Sequence, residues 1–452
     1  MKKLLITAAM AMIIQVAFAQ DSTSQDRFNQ YGRIVSRSPL DVENRNGILV
    51  FESADQSYRL WFDIRVQVDG QVFSKNTLNP IGNGASIRRA RFATKTNLTK
   101  NWYGEIDLDF SNGILELNDA YIQYDFRNGL ASRIGNFKER FSMSQTSSSR
   151  YLNFLERPMA IVAMTPSRHI GWETSYSAKY FLVSSGLFFQ AVEDAETRIF
   201  VEDNNKDYGR DEGISWTSKL ALQPFGTSTE YGGHLALAHS YRQPKTSVDV
   251  SEYGGIRYST RSLSSINRKK YLDTDVIPDF NYSSMNNVEL AAYYKGLGVQ
   301  GEYIMNRVHR NSDLVSLDFD GFYAQAAWLL FGGKQFYNKT EAEFSQPYRG
   351  KKWGDIELAL RYDYINLNDK DIYGGSAEGY TAGVNFYADK NVRFQLNYSY
   401  VNHDRYANGK NKLFVGYDLT GALTKDPTQV ADSKGKAGDD YGMLGFRFEI
   451  NF

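Results

Sequence analysis

Between Lys138 and Arg168 the chain gathers Lys138, Arg140, Arg150, Arg157 and Arg168 against only Glu139 and Glu156, a local net charge of +3. The middle of this stretch, Ser144-Gln-Thr-Ser-Ser-Ser149, adds hydroxyls that can hydrogen-bond phosphate or sugar oxygens. Clustered ammonium and guanidinium groups with hydroxyls are chemistry for attracting oxyanions, and the attraction grows where water is excluded. The rest of the chain does not repeat this bias: 52 Lys and Arg balance 52 Asp and Glu, which argues against nucleic acid as a partner. With no Cys, disulfides and thiolate metal sites are excluded, and no cofactor or metal site is expected.

What positions these cations is a series of alternating segments. Gly442, Leu444, Phe446, Phe448, Ile450 and Phe452 alternate with Tyr441, Met443, Gly445, Arg447, Glu449 and Asn451. Successive strand side chains point to opposite faces, so the final segment has one apolar face and one mostly polar face. Similar alternation occurs at Tyr58–Asp69, Tyr103–Phe110, Asp119–Phe126, Ser215–Leu222, His234–Tyr241, Val288–Tyr294, Val299–Met305, Asp320–Leu330, Asp355–Ile365, Tyr380–Tyr387 and Val392–Val401. Period-two patterning is the strand signal, and no stretch sustains a helical period.

Several connections look tight, such as Arg127-Asn128-Gly129, Lys295–Gly298 and Asp389-Lys390-Asn391. Others read as long polar loops: 202–213, 243–287, 306–318, 366–379 and 403–440. Short turns on one side and long loops on the other is the pattern of an outer-membrane barrel.

Lys2 and Lys3, the apolar run Leu4–Val16 and Ala17-Phe18-Ala19 have the form of a secretory signal over 1–19. A polar periplasmic segment over 20–46 and a barrel domain over 47–452 are expected after it. The fold expected is all-β, a transmembrane antiparallel barrel with the apolar set facing lipid. About 16 strands, a porin-like number, would fit this length. Tyr is abundant at 31 residues and suits the bilayer interface. On the polar face Arg59, Arg65, Arg89, Arg91 and Arg133 accompany Asp63, Asp69, Glu105, Asp107, Asp109, Asp119 and Asp125. Most of these charges are expected to pair across strands, and a minority to line a constriction that sets ion selectivity.

An outer-membrane enzyme is the rival class. The five His are His169, His234, His239, His309 and His403, none in a recognisable Ser/His/acid arrangement, so no enzyme activity is expected. A surface-binding or structural barrel, with partners on loops 243–287 and 403–440, is a third class.

Arg133-Ile-Gly-Asn-Phe-Lys-Glu-Arg-Phe-Ser-Met-Ser-Gln-Thr-Ser-Ser-Ser-Arg-Tyr-Leu-Asn-Phe-Leu-Glu-Arg-Pro158 sharpens the reading. It resembles the core of the phosphate-selective porin O and P family, and Pro166-Ser-Arg168-His-Ile-Gly171 resembles the motif that follows it. Ile87-Arg88-Arg89-Ala90-Arg91, Leu117–Tyr121, Leu358–Tyr362 and Gly383–Tyr387 are similar to further family strands, in order. The resemblance implies a 16-stranded homotrimeric outer-membrane porin of a Gram-negative-type bacterium. Its third long loop, here about 138–168, would fold into the barrel and narrow the pore. Arg140 departs from the family's Pro, and Ser144-Gln145 from its acids. The expected function is passive diffusion of small hydrophilic solutes, with modest preference for anions such as phosphate; a general non-selective porin is the milder version. The residues expected at the constriction are Arg89, Arg91, Arg133, Lys138, Arg140, Arg157 and Arg168. Lys269-Lys270 is read as a solvated loop tip.

Overall fold

The computed structural model describes residues 27–36, 39–75, 77–111, 113, 115–192, 209, 213–226, 228–243, 255–311, 313–431 and 437–452. The signal expected over 1–19 and most of the loop 202–213 lie outside the described residues. Sixteen antiparallel strands close into a barrel. They are β1 (Arg59–Phe73), β2 (Gly84–Asn97), β3 (Trp102–Asp109), β4 (Glu116–Asp125), β5 (Leu130–Lys138), β6 (Arg168–Ser177), β7 (Phe181–Phe188) and β8 (Ser215–Leu222). The second half comprises β9 (Tyr231–Arg242), β10 (Phe280–Tyr294), β11 (Leu297–Arg310), β12 (Leu317–Leu329), β13 (Asp355–Asp369), β14 (Ile372–Tyr387), β15 (Val392–His403) and β16 (Tyr441–Asn451). The barrel closes where β16 pairs with β1, placing Arg447 opposite Asp69 and Phe448 opposite Val68.

Closure leaves no open edge, as a lipid environment requires. No helix among the described residues is long and apolar enough to cross a membrane. Leu444, Phe446, Phe448 and Phe452 point outward and are 37–51 % exposed, whereas Arg447 and Glu449 point inward. Rings cluster at the short-turn rim: Trp102–Tyr124 and Tyr124–Phe126 centroids lie 4.7 Å apart, and Phe331–Trp353 5.0 Å apart. Such a girdle suits the lipid–water boundary. Asn128 and Gly129 adopt positive φ in the tight turn between β4 and β5.

Leu40–Arg45 and Ile48–Ser53 form a hairpin whose second strand pairs with the start of β1, at Val50↔Trp61 and Glu52↔Arg59. The expected domain start at 47 falls in the turn of this hairpin.

Two expected loops are strands instead. The stretch 306–318 belongs mostly to β11 and β12, and 366–379 is the tip of β13 and β14. The alternation does not stop there; it inverts. Ile304, Val308, Leu317, Phe319, Ile365 and Leu367 point inward and are buried, while Arg307 and Asp318 pair outward in solvent at 2.7 Å. Beyond the hydrocarbon band the outside of the barrel meets water, so the apolar face turns inward. There it packs against loops that fold into the mouth, in a cluster that includes Phe141, Met159, Ile161, Tyr258, Tyr271 and Tyr441.

Candidate functional site

The loop between β5 and β6, residues 139–167 (L3), crosses the interior. It contains two short helices, α1 (Met143–Thr146) and α2 (Met159–Met164). Unsatisfied amides at helix starts need acceptors, and the far wall supplies them. Met143 N donates to Glu289 on β10 at 3.0 Å, and Ser144 N to Glu302 on β11 at 2.7 Å. Met159 N donates to Asp363 on β13 at 3.2 Å, and Leu155 N to Asn397 on β15 at 2.8 Å. The carbonyl of Leu152 accepts from Arg393 and Gln395 on β15. L3 is therefore sewn to the β10–β15 side, and open space remains toward β1–β6.

That space contains a lower cavity of about 310 Å³. Eight basic side chains line it (Arg65, Arg91, Lys95, Arg133, Lys138, Arg140, Arg150, Arg168) with six acidic ones (Asp63, Glu105, Asp107, Asp119, Glu341, Glu343). Most are paired. Arg168 makes a bidentate contact with Asp119 at 2.9 and 2.7 Å; Arg91 bonds Asp109 at 3.0 Å; Lys95 bridges Asp63 and Glu105 at 3.0 and 3.3 Å; Arg150 also pairs with Asp63. Carboxylate oxygens of Glu105, Asp107 and Asp119 lie within 4.8 Å of one another. Lys95, Arg91 and Arg168 already neutralise this trio, so the trio reads as wall chemistry.

An upper cavity of about 630 Å³ lies toward the long-loop end. It is lined by Arg88, Arg157, Arg261, Arg268 and Lys270 against Glu116 and Glu156, a net of +3, with hydroxyls from Ser86, Ser111, Ser259, Thr260, Ser264 and Ser265. Arg88 grips Glu156 at 2.7 and 3.1 Å. Burial would raise the Glu156 carboxyl, but Arg88, Arg89 and Arg447 outweigh it and hold the group at about 2. Arg157 donates to the carbonyls of Ser144 and Ser147, both at 2.7 Å, and burial lowers it to about 10. Lys138 donates to the same Ser147 carbonyl at 3.1 Å from the lower cavity, so this stretch of L3 stands between the two spaces.

Such a barrel, narrowed by an inward loop and lined with charge, is a channel architecture. The sequence matches the family described as phosphate-selective porin O and P over residues 62–419. This chain belongs to that family. The porin is an outer-membrane channel of a Gram-negative bacterium. A protein from Caulobacter vibrioides, described as uncharacterized, is 24 % identical over 371 residues, covering 78 % of this chain and 70 % of that protein. In fold, the porin is similar to OmpT, an outer membrane protein of Vibrio cholerae in its trimer form, with TM-score 0.51 at 10 % identity over 88 % of this chain and all of that one. It is also similar to an anion-selective porin from Comamonas acidovorans, with TM-score 0.50 at 9 % identity over 87 % of this chain and all of that one.

Of the residues expected at the porin's constriction, Arg91, Arg133, Lys138, Arg140 and Arg168 meet at the lower cavity and Arg157 at the upper one. Arg89 does not join them: it is buried in the wall, donating to Gln67 at 2.8 Å. Arg447 and Glu449, on the polar face of the final segment, are buried beneath L3, paired with Asp69 and Arg393. Lys270, read as a loop tip, lines the upper cavity with Arg261 and Arg268, residues that the sequence reading had not singled out. The segment 255–279 (L5) carries them inward, tied by Tyr271 stacking on His403 at 4.6 Å and by Tyr271 donating to Asp439 at 3.3 Å.

A second element missed from sequence lies at the opposite end. Residues 330–354 connect β12 to β13 on the side of the short turns, yet they hold a hairpin, Lys334–Asn338 paired with Glu343–Tyr348. Asp355 clamps its base, accepting from the amides of Phe331, Gly333 and Gly350 at 2.8–3.0 Å. Its length, on the side of the short turns, is the one signal the sequence offered.

Proposed function

We propose that this porin is a water-filled passive channel for small hydrophilic solutes, with a modest preference for anions such as phosphate, working as a homotrimer and without enzymatic activity. One observation carries the anion preference: Arg261, Arg268 and Lys270 stand in the upper cavity with no carboxylate partner among the described residues. Solutes entering from outside meet this uncompensated charge first, where narrowing reduces screening. The surrounding hydroxyls suit oxyanions. The near balance of the lower cavity, eight basic groups to six acidic, favours a general non-selective channel as the second reading.

The test is planar-bilayer recording in KCl with phosphate added on the long-loop side. Current steps grouped in threes and block of chloride current by phosphate are expected. Chloride current untouched by phosphate would leave only the general channel.

A further inference from the structure

We infer that the periplasmic hairpin Lys334–Tyr348 is a second selectivity element, in which Glu341 and Glu343 offset the cations that L3 and the wall present to the lower cavity. The inference rests on the channel reading above. The hairpin enters from the end opposite L3, and the two meet inside the barrel. Glu341 accepts from Arg140 Nε at 3.1 Å and from Arg140 Nη2 at 2.9 and 2.8 Å, and Arg133 stands 3.6 Å away. Arg140 is also paired with Glu173 of β6. On the first leg Tyr337 meets His234 Nδ1 at 2.6 Å, and on the second Phe344 packs against the cluster of Met143, Ala291, Tyr293 and Tyr337.

Both Glu341 and Glu343 line the lower cavity. Without them its lining is eight cations against four acids, all four on β1, β3 and β4. The hairpin thus supplies the only acidic side chains reaching this cavity from outside those strands, among the described residues. An anion that passes the upper cavity meets them on its way to the periplasm.

The pair is also adjustable. Glu343 faces Lys138 of β5, Glu341 of its own hairpin, Lys219 of β8 (itself bound to Glu289 of β10 at 2.7 Å) and the Thr146 hydroxyl of α1. Burial, then repulsion by Glu341, raise the Glu343 carboxyl to about 7. As pH falls through that value Glu343 becomes neutral, the cavity gains positive charge, and anion preference rises.

The experiment is the zero-current potential of purified, refolded porin in a KCl gradient at pH 6 and pH 8, for wild type, Glu341→Gln and Glu343→Gln. Heat-modifiable electrophoretic migration confirms that each variant is folded, and a variant in which a short turn replaces the hairpin serves if a single substitution does not fold. Either substitution is expected to raise the chloride-to-potassium permeability ratio on the order of twofold, the effect of one unit charge at lumen distances. Wild type is expected to be more anion-selective at pH 6 than at pH 8, and Glu343→Gln to lose that dependence. Wild-type channels whose ratio is unmoved by any of the three variants, or a pH dependence that survives Glu343→Gln, would overturn the inference while leaving the channel reading intact. Absence of wild-type current would instead overturn the channel reading.

Discussion

Arg447 on the last strand and Asp69 on the first form a bidentate ion pair at 2.6 and 2.7 Å, with both side chains fully buried. The pair lies on the seam where β16 meets β1, so it joins the two ends of the chain. Ser265 of L5 also donates to Asp69, at 3.2 Å. Removing one partner strands a buried charge, which typically costs about 3–5 kcal/mol. Asp69→Ala and Arg447→Met are each expected to lower the urea midpoint of the refolded porin strongly, and the double variant to recover part of the loss. Singles that unfold like wild type would show that the seam does not depend on this pair.

The docking of L3 makes a separate prediction. Glu302 accepts from Ser144 N, from Tyr323 Oη at 2.8 Å and from Asn287 Nδ2 at 2.9 Å. Glu302→Ala leaves these donors without their acceptor, at roughly 1–3 kcal/mol for each one left unsatisfied. The loop should loosen while the barrel stays closed. Single-channel current is expected to become larger and noisier, with electrophoretic migration of the folded form unchanged. Quiet, wild-type current would mean that L3 is held by its other contacts alone.

Acid should act on L3 late. The Glu139 carboxyl is pushed up by burial but held at about 2 by Arg242, His169 and Thr217, and Glu156 is held at about 2 by Arg88. Both lie below the ordinary carboxylate range, so the folded state favours their ionised forms. Their stabilisation is fully present above about pH 4.5 and is lost as pH falls toward 2. Near-UV circular dichroism is expected to hold from pH 7 to about pH 4.5 and to decay below it. Decay beginning between pH 7 and 5 would contradict this assignment.

The proposed anion preference rests on the three cations of L5 that have no carboxylate partner among the described residues. Replacing Arg261, Arg268 and Lys270 with Ser, one at a time and together, is expected to reduce the chloride-to-potassium permeability ratio on the order of twofold per charge. The stability of the barrel should not change, since none of the three side chains is an ion-pair partner among the described residues. A ratio unchanged in the triple variant would move selectivity away from the upper cavity.

The barrel was legible in the sequence wherever lipid forces one face to be apolar, as at Phe446-Arg447-Phe448. Past the bilayer that force vanishes and the phase inverts, which is why β11–β12 and β13–β14 read as loops near Val308, Leu317, Ile365 and Leu367. The cationic character of L3 and its flank was visible in Arg140, Arg157 and Arg168 (the last on β6), but their partners were not. Glu173, Glu341 and Asp119 come from distant strands and a hairpin, and only closure of the barrel brings them together. Lys270 was misread for the same reason: L5 is turned inward by Tyr271, His403 and Asp439, contacts with no local signature. Arg89 was misplaced because a bulge between Gln67 and Val68 puts Arg88, rather than Arg89, against Glu156.

The most direct measurement is the zero-current potential of the wild-type porin in a KCl gradient across a planar bilayer. An anion-preferring channel gives stepwise conductance and a potential displaced toward the chloride equilibrium value. A potential on the potassium side would contradict the anion preference, and an absence of conductance would contradict the channel itself.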